Sequence, residues 1–132
     1  MKITPDTSIL VRAITGDHPV QSAAAQAVLA EAEQVVLGSA VLCELVWVLG
    51  RSYRFGAADI AATVHALIAA DTVVVDRRAA EAGLAMMEAG GDFADGIIAQ
   101  AGEAADARFV SFDRQAVTLL QAQRVEAELL AG

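Results

Sequence analysis

The sequence predicts an α/β domain whose strands form a largely parallel sheet. Short runs of β-branched residues alternate along the chain with longer Ala- and Leu-rich runs of helical length, which is typical of that class. Gly38 and the Gly90-Gly91 pair mark boundaries between such runs. Because 132 residues suit one compact core, we expect a single domain over residues 1–132.

The first part of the chain is expected to contain three strands and four helices. The predicted strands are residues 3–4, 35–37 and 73–75, and the second is expected to be buried. The predicted helices are residues 7–14, 21–33, 40–51 and 57–70. Ser39 is placed to cap the third helix, since its hydroxyl can accept a hydrogen bond from an unpaired backbone amide. Gly56 opens the fourth helix.

The second part is expected to contain three helices, one strand and a tail that is either a further strand or a further helix. The predicted helices are residues 78–88, 92–105 and 114–120, with a strand at 109–111. The Gly90-Gly91 pair favours a turn between the first two helices. Residues 125–130 fit a last strand or a last helix, so both alternatives stay open.

The composition limits the class of protein. Hydrophobic residues make up 56% of the chain, too many for a disordered segment, yet no apolar run approaches the roughly 20 residues of a membrane span. The segment Met1–Asp6 lacks the features of a secretory signal, so we expect a cytoplasmic protein that does not bind membranes. Cys43 is the only cysteine, which excludes an intramolecular disulfide.

The net charge of −8 opposes non-specific binding to nucleic acids, because such binding depends on clustered Lys and Arg side chains. Arg12, Arg51, Arg54 and Arg114 are the cations expected near the site described next, where they are candidates for contacts with phosphate groups. We therefore expect weak substrate binding, or binding with the help of a partner.

Four acidic residues stand in strongly apolar sequence surroundings: Asp6, Glu44, Asp95 and Asp113. Buried carboxylates are costly unless a positive charge compensates them. Asp6 and Asp113 follow predicted strands, and functional crevices of parallel sheets lie beyond the carboxyl ends of the strands. We therefore expect all four to meet in one acidic pocket around a metal ion.

An all-oxygen ligand set favours a hard cation, Mg²⁺ or Mn²⁺, over zinc. Without a cation, two carboxylates about 4 Å apart would repel each other by about 4 kcal/mol at an effective dielectric constant near 20. Mg²⁺ typically keeps several waters, which leaves positions for a phosphate oxygen and an attacking water. Hydrolysis of a phosphodiester is the reaction that suits this arrangement.

Helix capping is the structural alternative for three of these aspartates. Asp92 and Asp95 have the spacing of an N-cap and a third helical residue, and we assign the cap to Asp92 and metal ligation to Asp95. Asp113 and Asp6 each precede a predicted helix and can also act as caps. Glu44 is harder to explain this way, because its helix has almost no polar face.

The remaining polar and aromatic residues receive minor roles. Thr7 and Ser111 each stand beside a candidate aspartate and are expected to orient a carboxylate or a metal-bound water. His18 and His65 are too far apart to form a recognisable metal pair or triad, so we interpret both as structural. Trp47 and Phe55 are expected in the core or in an interface.

Four segments in this order resemble the PIN-domain family, and within it the VapC toxins of type II toxin–antitoxin systems. The segments are Asp6–Arg12, Glu44–Leu49, Asp92–Ala99 and Ser111–Asp113. The resemblance implies a three-layer α/β/α sandwich with a central, mainly parallel sheet. The chain departs from the family pattern at two positions: Ser8, where Asn is common, and Gly96, where Ala is usual. Glycine at position 96 loosens the helix by about 1 kcal/mol.

The resemblance also implies an activity and partners. It implies an endoribonuclease dependent on Mg²⁺ or Mn²⁺, with Asp6 and Asp95 as principal metal ligands and Glu44 and Asp113 completing the acidic site. It implies a homodimer that is inhibited by a cognate VapB-like antitoxin. The chain would then associate with DNA only indirectly, through that antitoxin. The alternative is a catalytically silent PIN-like module that binds proteins or RNA.

Overall fold

Five strands and seven helices alternate along residues 1–132, all of which the computed structural model describes. They group into two units, unit 1 (Met1–Asp76) and unit 2 (Arg77–Gly132). Every strand pair is parallel, so the predicted α/β class with parallel strands is confirmed. That one domain spans residues 1–132 stays a prediction. None of the helices has the length and hydrophobicity that crossing a bilayer requires.

Unit 1 contains three parallel strands, each joined to the next by a pair of helices, as parallel strands require crossover connections. The sheet order is β1-β2-β3, with Ile3 opposite Val35 and Val35 opposite Val73. In chain order its elements are β1 (Lys2–Ile3), α1 (Thr7–Thr15), α2 (Pro19–Glu31), β2 (Gln34–Leu37), α3 (Ser39–Arg51), α4 (Ala57–Ala69) and β3 (Val73–Val75).

The starts of α2 and α3 differ in how they are capped. His18 is the N-cap of α2, where its Nδ1 accepts a hydrogen bond from the backbone N–H of Gln21 at 3.0 Å. The expected Ser39 cap of α3 is wrong, because Gly38 occupies the N-cap position and no side chain caps this helix. Ser39 is already the first helical residue, so its hydroxyl is not at the capping position.

The core of unit 1 is built on α3 and α4. Leu42, Leu45 and Leu49 are buried with the spacing of one helical stripe, and each such side chain contributes about 2 kcal/mol when fully buried. The expectation that β2 is buried throughout is wrong at its centre, where Val36 is 39% exposed. Successive side chains of a strand point to opposite faces, so Val36 lies on the other face from its buried neighbours.

Unit 2 begins with two helices, and its strands β4 and β5 pair with Phe109 opposite Ala127. The tail whose structure was left open is therefore a strand. Met86, Ala99, Ala116 and Leu120 form its buried cluster. In chain order the elements are α5 (Arg77–Glu88), α6 (Phe93–Ala104), β4 (Phe109–Ser111), α7 (Arg114–Ala122) and β5 (Ala127–Leu129).

Two glycines permit close packing between α5 and α6. A Cβ added at Gly83 would lie 2.7 Å from the Phe93 ring, and one added at Gly96 would overlap the carbonyl oxygen of Ala82 and lie 2.8 Å from Met86 Cβ. The sequence expectation that Gly96 only loosens its helix is therefore incomplete. The missing side chain lets the start of α6 approach the backbone of α5.

Candidate active site

Asp6 begins α1 as its N-cap. Its Oδ1 accepts hydrogen bonds from the backbone N–H of Ile9 at 3.1 Å and from the Ser8 hydroxyl at 2.6 Å. The bond from Ser8, and then the bond from Ile9, lower the pKa of the Asp6 carboxyl. Both bonds are made to the same oxygen and favour the charged form of the carboxyl.

Glu44 lies on α3 and is joined to the start of α1 by a hydrogen bond. The Thr7 hydroxyl donates to Glu44 Oε2 at 3.2 Å, so a residue beside Asp6 orients the second carboxylate of unit 1. Both carboxylates line one open depression of about 300 Å³, formed by Pro5, Asp6, Thr7, Ser8, Ala40, Val41 and Glu44. No cationic side chain lines this depression.

Unit 2 holds the other candidate carboxylates at the starts of α6 and α7. Asp92 caps α6 by accepting from the backbone N–H of Asp95 at 3.0 Å, and Asp113 caps α7 by accepting from that of Ala116 at 3.2 Å. The Ser111 hydroxyl accepts from the backbone N–H of Asp113 at 2.9 Å, so it fixes the backbone that carries this carboxylate. In both caps only one carboxylate oxygen is engaged.

Asp95 lies in the first turn of α6 and is half-buried. Burial raises the pKa of its carboxyl, and the negative charges of Asp92 and Asp113 raise it further. These three acidic side chains of unit 2 therefore act on one another electrostatically. A cation bound among them would remove an unfavourable interaction.

The expected burial of the acidic residues is wrong for most of them. Asp6, Glu44 and Asp113 are exposed, and only Asp95 is half-buried. The apolar sequence around Glu44 was misleading because not every apolar residue of α3 is in the core: Trp47, one turn away, is 64% exposed. Repulsion between the carboxylates and the type of ligand, rather than the cost of burial, therefore favour a bound metal ion.

The residues present fit a hard divalent cation. Neither unit by itself places three or more His, Cys, Asp or Glu side chains as ligands of one ion. Even so, each unit presents carboxylates whose second oxygens are not used for capping, and the Asp6–Glu44 depression contains only oxygen donors. Mg²⁺ and Mn²⁺ prefer sites whose ligands are oxygen atoms and that contain no cysteine or histidine. That all four carboxylates meet stays a prediction.

The candidate phosphate-binding arginines have different surroundings. Arg51 and Arg114 are exposed, whereas Arg12 is engaged within unit 1. Its Nη1 donates to Asp17 at 3.1 Å and to the Tyr53 hydroxyl at 3.1 Å, and its Nε donates to Gln21 at 3.0 Å.

Sequence reasoning missed this network around Arg12. The Tyr53 hydroxyl also donates to Asp17 at 2.6 Å, although the two residues are 36 positions apart in the chain. Pairs so distant leave no periodic signal in a single sequence. The bond from Ser8 to Asp6 was accessible, since a hydroxyl two residues after a capping aspartate is a common local partner.

Comparison with known proteins identifies the family of the chain. The model of the PIN domain family matches residues 3–119, a segment that contains every candidate acidic residue. A comparison with curated proteins gave no match. PIN domains are generally nucleases and typically bind divalent metal ions. Since the match covers most of its length, the chain belongs to the PIN domain family.

Proposed function

We propose that this chain is a metal-dependent endoribonuclease of the VapC type, which hydrolyses RNA phosphodiester bonds. The observation that carries the proposal is the shared depression of Asp6 and Glu44, which offers only oxygen donors and has no cation to balance them. The raised pKa of Asp95 beside Asp92 and Asp113 supports it from unit 2. Family membership supports a nuclease in general.

The proposed roles follow from the contacts of each side chain. Asp6 and Asp95 are the metal ligands, and Glu44 and Asp113 complete the acidic set. Bound Mg²⁺ or Mn²⁺ supplies positive charge for the phosphate and favours ionisation of an attacking water.

The neighbouring side chains position these carboxylates. Ser8 lowers the pKa of the Asp6 carboxyl, Thr7 orients Glu44, and Ser111 fixes the backbone at Asp113. Asp92 holds the first turn of α6, on which Asp95 lies. Loss of such supporting contacts typically costs a metal site about 10–100-fold in affinity or activity.

The biological setting is also a proposal. We propose a cytoplasmic homodimer neutralised by a VapB-like antitoxin, with DNA contacted only through that partner. The charge of −8 supports an antitoxin whose contacting residues are basic. A silent binding module is the weaker alternative, because a module without chemistry has no need for carboxylates at all four positions.

Site-directed variants test the proposal. Asp6→Asn and Asp95→Asn are each expected to abolish Mg²⁺- or Mn²⁺-dependent cleavage of RNA while the protein stays folded. Asparagine at position 6 is as good an N-cap as aspartate, and Asp95 lies inside α6, whose cap is Asp92. The measurement is product formation from a labelled RNA, with circular dichroism as the check on folding. Asp71→Asn, an exposed loop aspartate outside the site, is the matched control and should cleave normally.

Undiminished cleavage by both variants would refute the site assignment. Calorimetric titration with Mn²⁺ gives a second readout: a saturable site is expected in the unaltered protein and should be lost in Asp6→Asn. A protein that shows neither cleavage nor a saturable site would be the silent module.

A further inference from the structure

The last residue of α3 and the turn after it differ in composition from the rest of unit 1. Residues 51–55 read Arg-Ser-Tyr-Arg-Phe, so two of the four cations of this unit lie within four positions, alternating with two aromatic residues. The segment contains no acidic residue. Interleaved cationic and aromatic side chains are the composition by which proteins bind single-stranded nucleic acids.

A second depression connects this turn to the candidate active site. It has a volume of about 380 Å³ and is lined by Thr7, Ser8, Val11, Arg12, Glu44, Val48, Ser52 and Tyr53. Glu44, Val48 and Ser52 are spaced by four residues, so they follow one face of α3 and its C-cap. Eight residues of helix extend about 12 Å, so the depression leads from a candidate carboxylate to the turn.

The ring of Tyr53 is held in a fixed position at the end of this depression. Its hydroxyl donates to Asp17 at 2.6 Å and accepts from Arg12 at 3.1 Å, and Arg12 and Asp17 are themselves an ion pair at 3.1 Å. Arg12 therefore has a partner already. Its contribution is to hold the tyrosine.

The two arginines of the turn are exposed instead. Arg51 and Arg54 belong neither to the ion pair of the Met1 amino group with Glu33 nor to that of Arg12 with Asp17. Arg54 has a backbone φ of 57°, a left-handed conformation that is uncommon for a residue other than glycine. Asp106 and Arg124 adopt the same conformation after α6 and α7, so it belongs to the turns that end helices in this chain.

We propose that residues 51–55 bind the stretch of single-stranded RNA next to the scissile phosphate, with Arg51 and Arg54 contacting phosphates and Tyr53 stacking on a base. This inference rests on the proposed ribonuclease function. Hydroxyl groups of Thr7, Ser8 and Ser52 line the same depression and suit hydrogen bonds to ribose. A fixed aromatic ring beside the apolar side chains of Val11 and Val48 favours a nucleobase over an acidic peptide.

The proposal also accounts for how a chain of charge −8 can bind an anion. Only the cations close to the bound RNA need to contact its phosphates, so the net charge of the whole chain matters less than the charges at this turn. At ordinary ionic strength, about 0.15 M, charges more than about 8 Å away are largely screened.

Binding of RNA without cleavage tests the inference. The affinity of a fluorescently labelled single-stranded RNA is measured by anisotropy in EDTA, so that neither metal nor hydrolysis is required. Arg51→Gln/Arg54→Gln should weaken binding at least tenfold and reduce the salt dependence of log K by about 1.4, since each phosphate contact contributes about 0.7 on a single strand. Arg77→Gln/Arg78→Gln, two exposed arginines of unit 2, makes the same change in net charge and should bind normally.

Variants of Tyr53 separate stacking from charge. Tyr53→Ala should weaken binding on the order of tenfold, because stacking of one base is worth about 1–3 kcal/mol. Tyr53→Phe keeps the ring and loses its hydrogen bonds to Arg12 and Asp17, so it should bind better than Tyr53→Ala. Equal losses in the two variants would overturn the stacking assignment.

Two further ligands identify the class of partner. Polyphosphate and polyglutamate of the same charge as the RNA should bind at least tenfold more weakly than the RNA. Equal affinity for polyglutamate would overturn the proposal and indicate an acidic protein partner at this turn.

The RNA-binding experiments can fail or succeed independently of the cleavage experiments that test the proposed function. If Arg51→Gln/Arg54→Gln binds RNA as well as the unaltered protein, this inference fails while cleavage that depends on Asp6 can still stand. If the turn variants lose binding but no preparation cleaves RNA, the catalytic proposal fails and the binding site stands.

Discussion

At the scale of single residues, three aspartates of the candidate site also start helices. Asp6, Asp92 and Asp113 each use one carboxylate oxygen as an N-cap. The sequence presented capping and metal ligation as alternatives for these residues. In the structure each cap hydrogen bond uses one carboxylate oxygen, so the other oxygen can bind a metal ion while the first caps the helix.

Asp17 provides a prediction about pH. Hydrogen bonds from Tyr53 and from Thr15, and then the charge of Arg12, lower the pKa of its carboxyl in the folded protein. An acid whose pKa is lower folded than unfolded stabilises the fold above its unfolded value, near 3.9, and loses this effect as the pH falls through the folded value. Thermal unfolding should therefore show that the loss of stability below about pH 4 is smaller in Asp17→Asn than in the unaltered protein.

The control for this prediction is an aspartate without such partners. Asp71→Asn should lose stability with acid as the unaltered protein does. If Asp17→Asn shows the same decline in melting temperature between pH 5 and pH 3 as the unaltered protein, the network does not couple Asp17 to folding.

Local chemistry decided which residue roles could be predicted. The Asp92 cap follows from its spacing to Asp95 in the chain, and the structure shows it. The Ser39 cap was wrong because the helix begins one residue earlier than expected. The contact of Tyr53 with Asp17 depends on the tertiary fold, which the pattern of one sequence does not contain.

At the scale of elements, the packing of α5 against α6 depends on two glycines. Gly96→Ala should destabilise the protein by about 1–3 kcal/mol, because the new methyl group overlaps the backbone of Ala82 and forces the helices apart. Denaturant unfolding measures the change.

Gly102 is the matched control in the same helix. A Cβ there would meet its nearest neighbour, the carbonyl oxygen of Ala107, at 3.5 Å, an ordinary contact. Gly102→Ala should therefore stabilise the protein by up to about 1 kcal/mol through helix propensity. Destabilisation by both substitutions, or by neither, would contradict the packing role of Gly96.

Elements were easier to predict than their ends. The strands Val73–Val75 and Phe109–Ser111 were predicted with the bounds observed, because short β-branched or aromatic runs between polar turns are distinctive. The last strand, Ala127–Leu129, was not separable from a helix, because residues 125–130 are too few to establish a period and their Ala, Glu and Leu are also strong helix formers. Glycine at a helix contact gives no periodic signal at all.

At the scale of the whole molecule, the negative net charge should make thermal stability depend on salt concentration and on bound metal ions. With a net charge of −8, added NaCl should stabilise the protein by screening repulsion, and Mg²⁺ at matched ionic strength should stabilise it further by binding the folded state. At a hundred times its dissociation constant, a bound ion adds about 2.7 kcal/mol. Melting temperatures in the two salts measure the difference.

Asp95→Asn is the informative variant in these melts. Without metal it should melt at a higher temperature, because it removes a half-buried charge that Asp92 and Asp113 repel. It should also lose most of the extra stabilisation by Mg²⁺. A clear drop in the metal-free melting temperature would show that Asp95 serves mainly to stabilise the start of α6.

The fold class was the most predictable property of the molecule. Alternation of strand and helix patterns predicted an α/β protein with parallel strands, and the family match over residues 3–119 agrees. The exposure of Glu44 was not predictable, because hydropathy along α3 does not show which apolar residues remain at the surface. The single domain and the meeting of the four carboxylates stay predictions.

The caps at Asp6, Asp92 and Asp113 have a practical consequence. Because asparagine preserves a cap, Asp6→Asn and Asp113→Asn are expected to keep their shape. Under the proposed ribonuclease function, such variants would bind RNA without cutting it. They would then serve as bait for the RNA that the proposed enzyme cleaves.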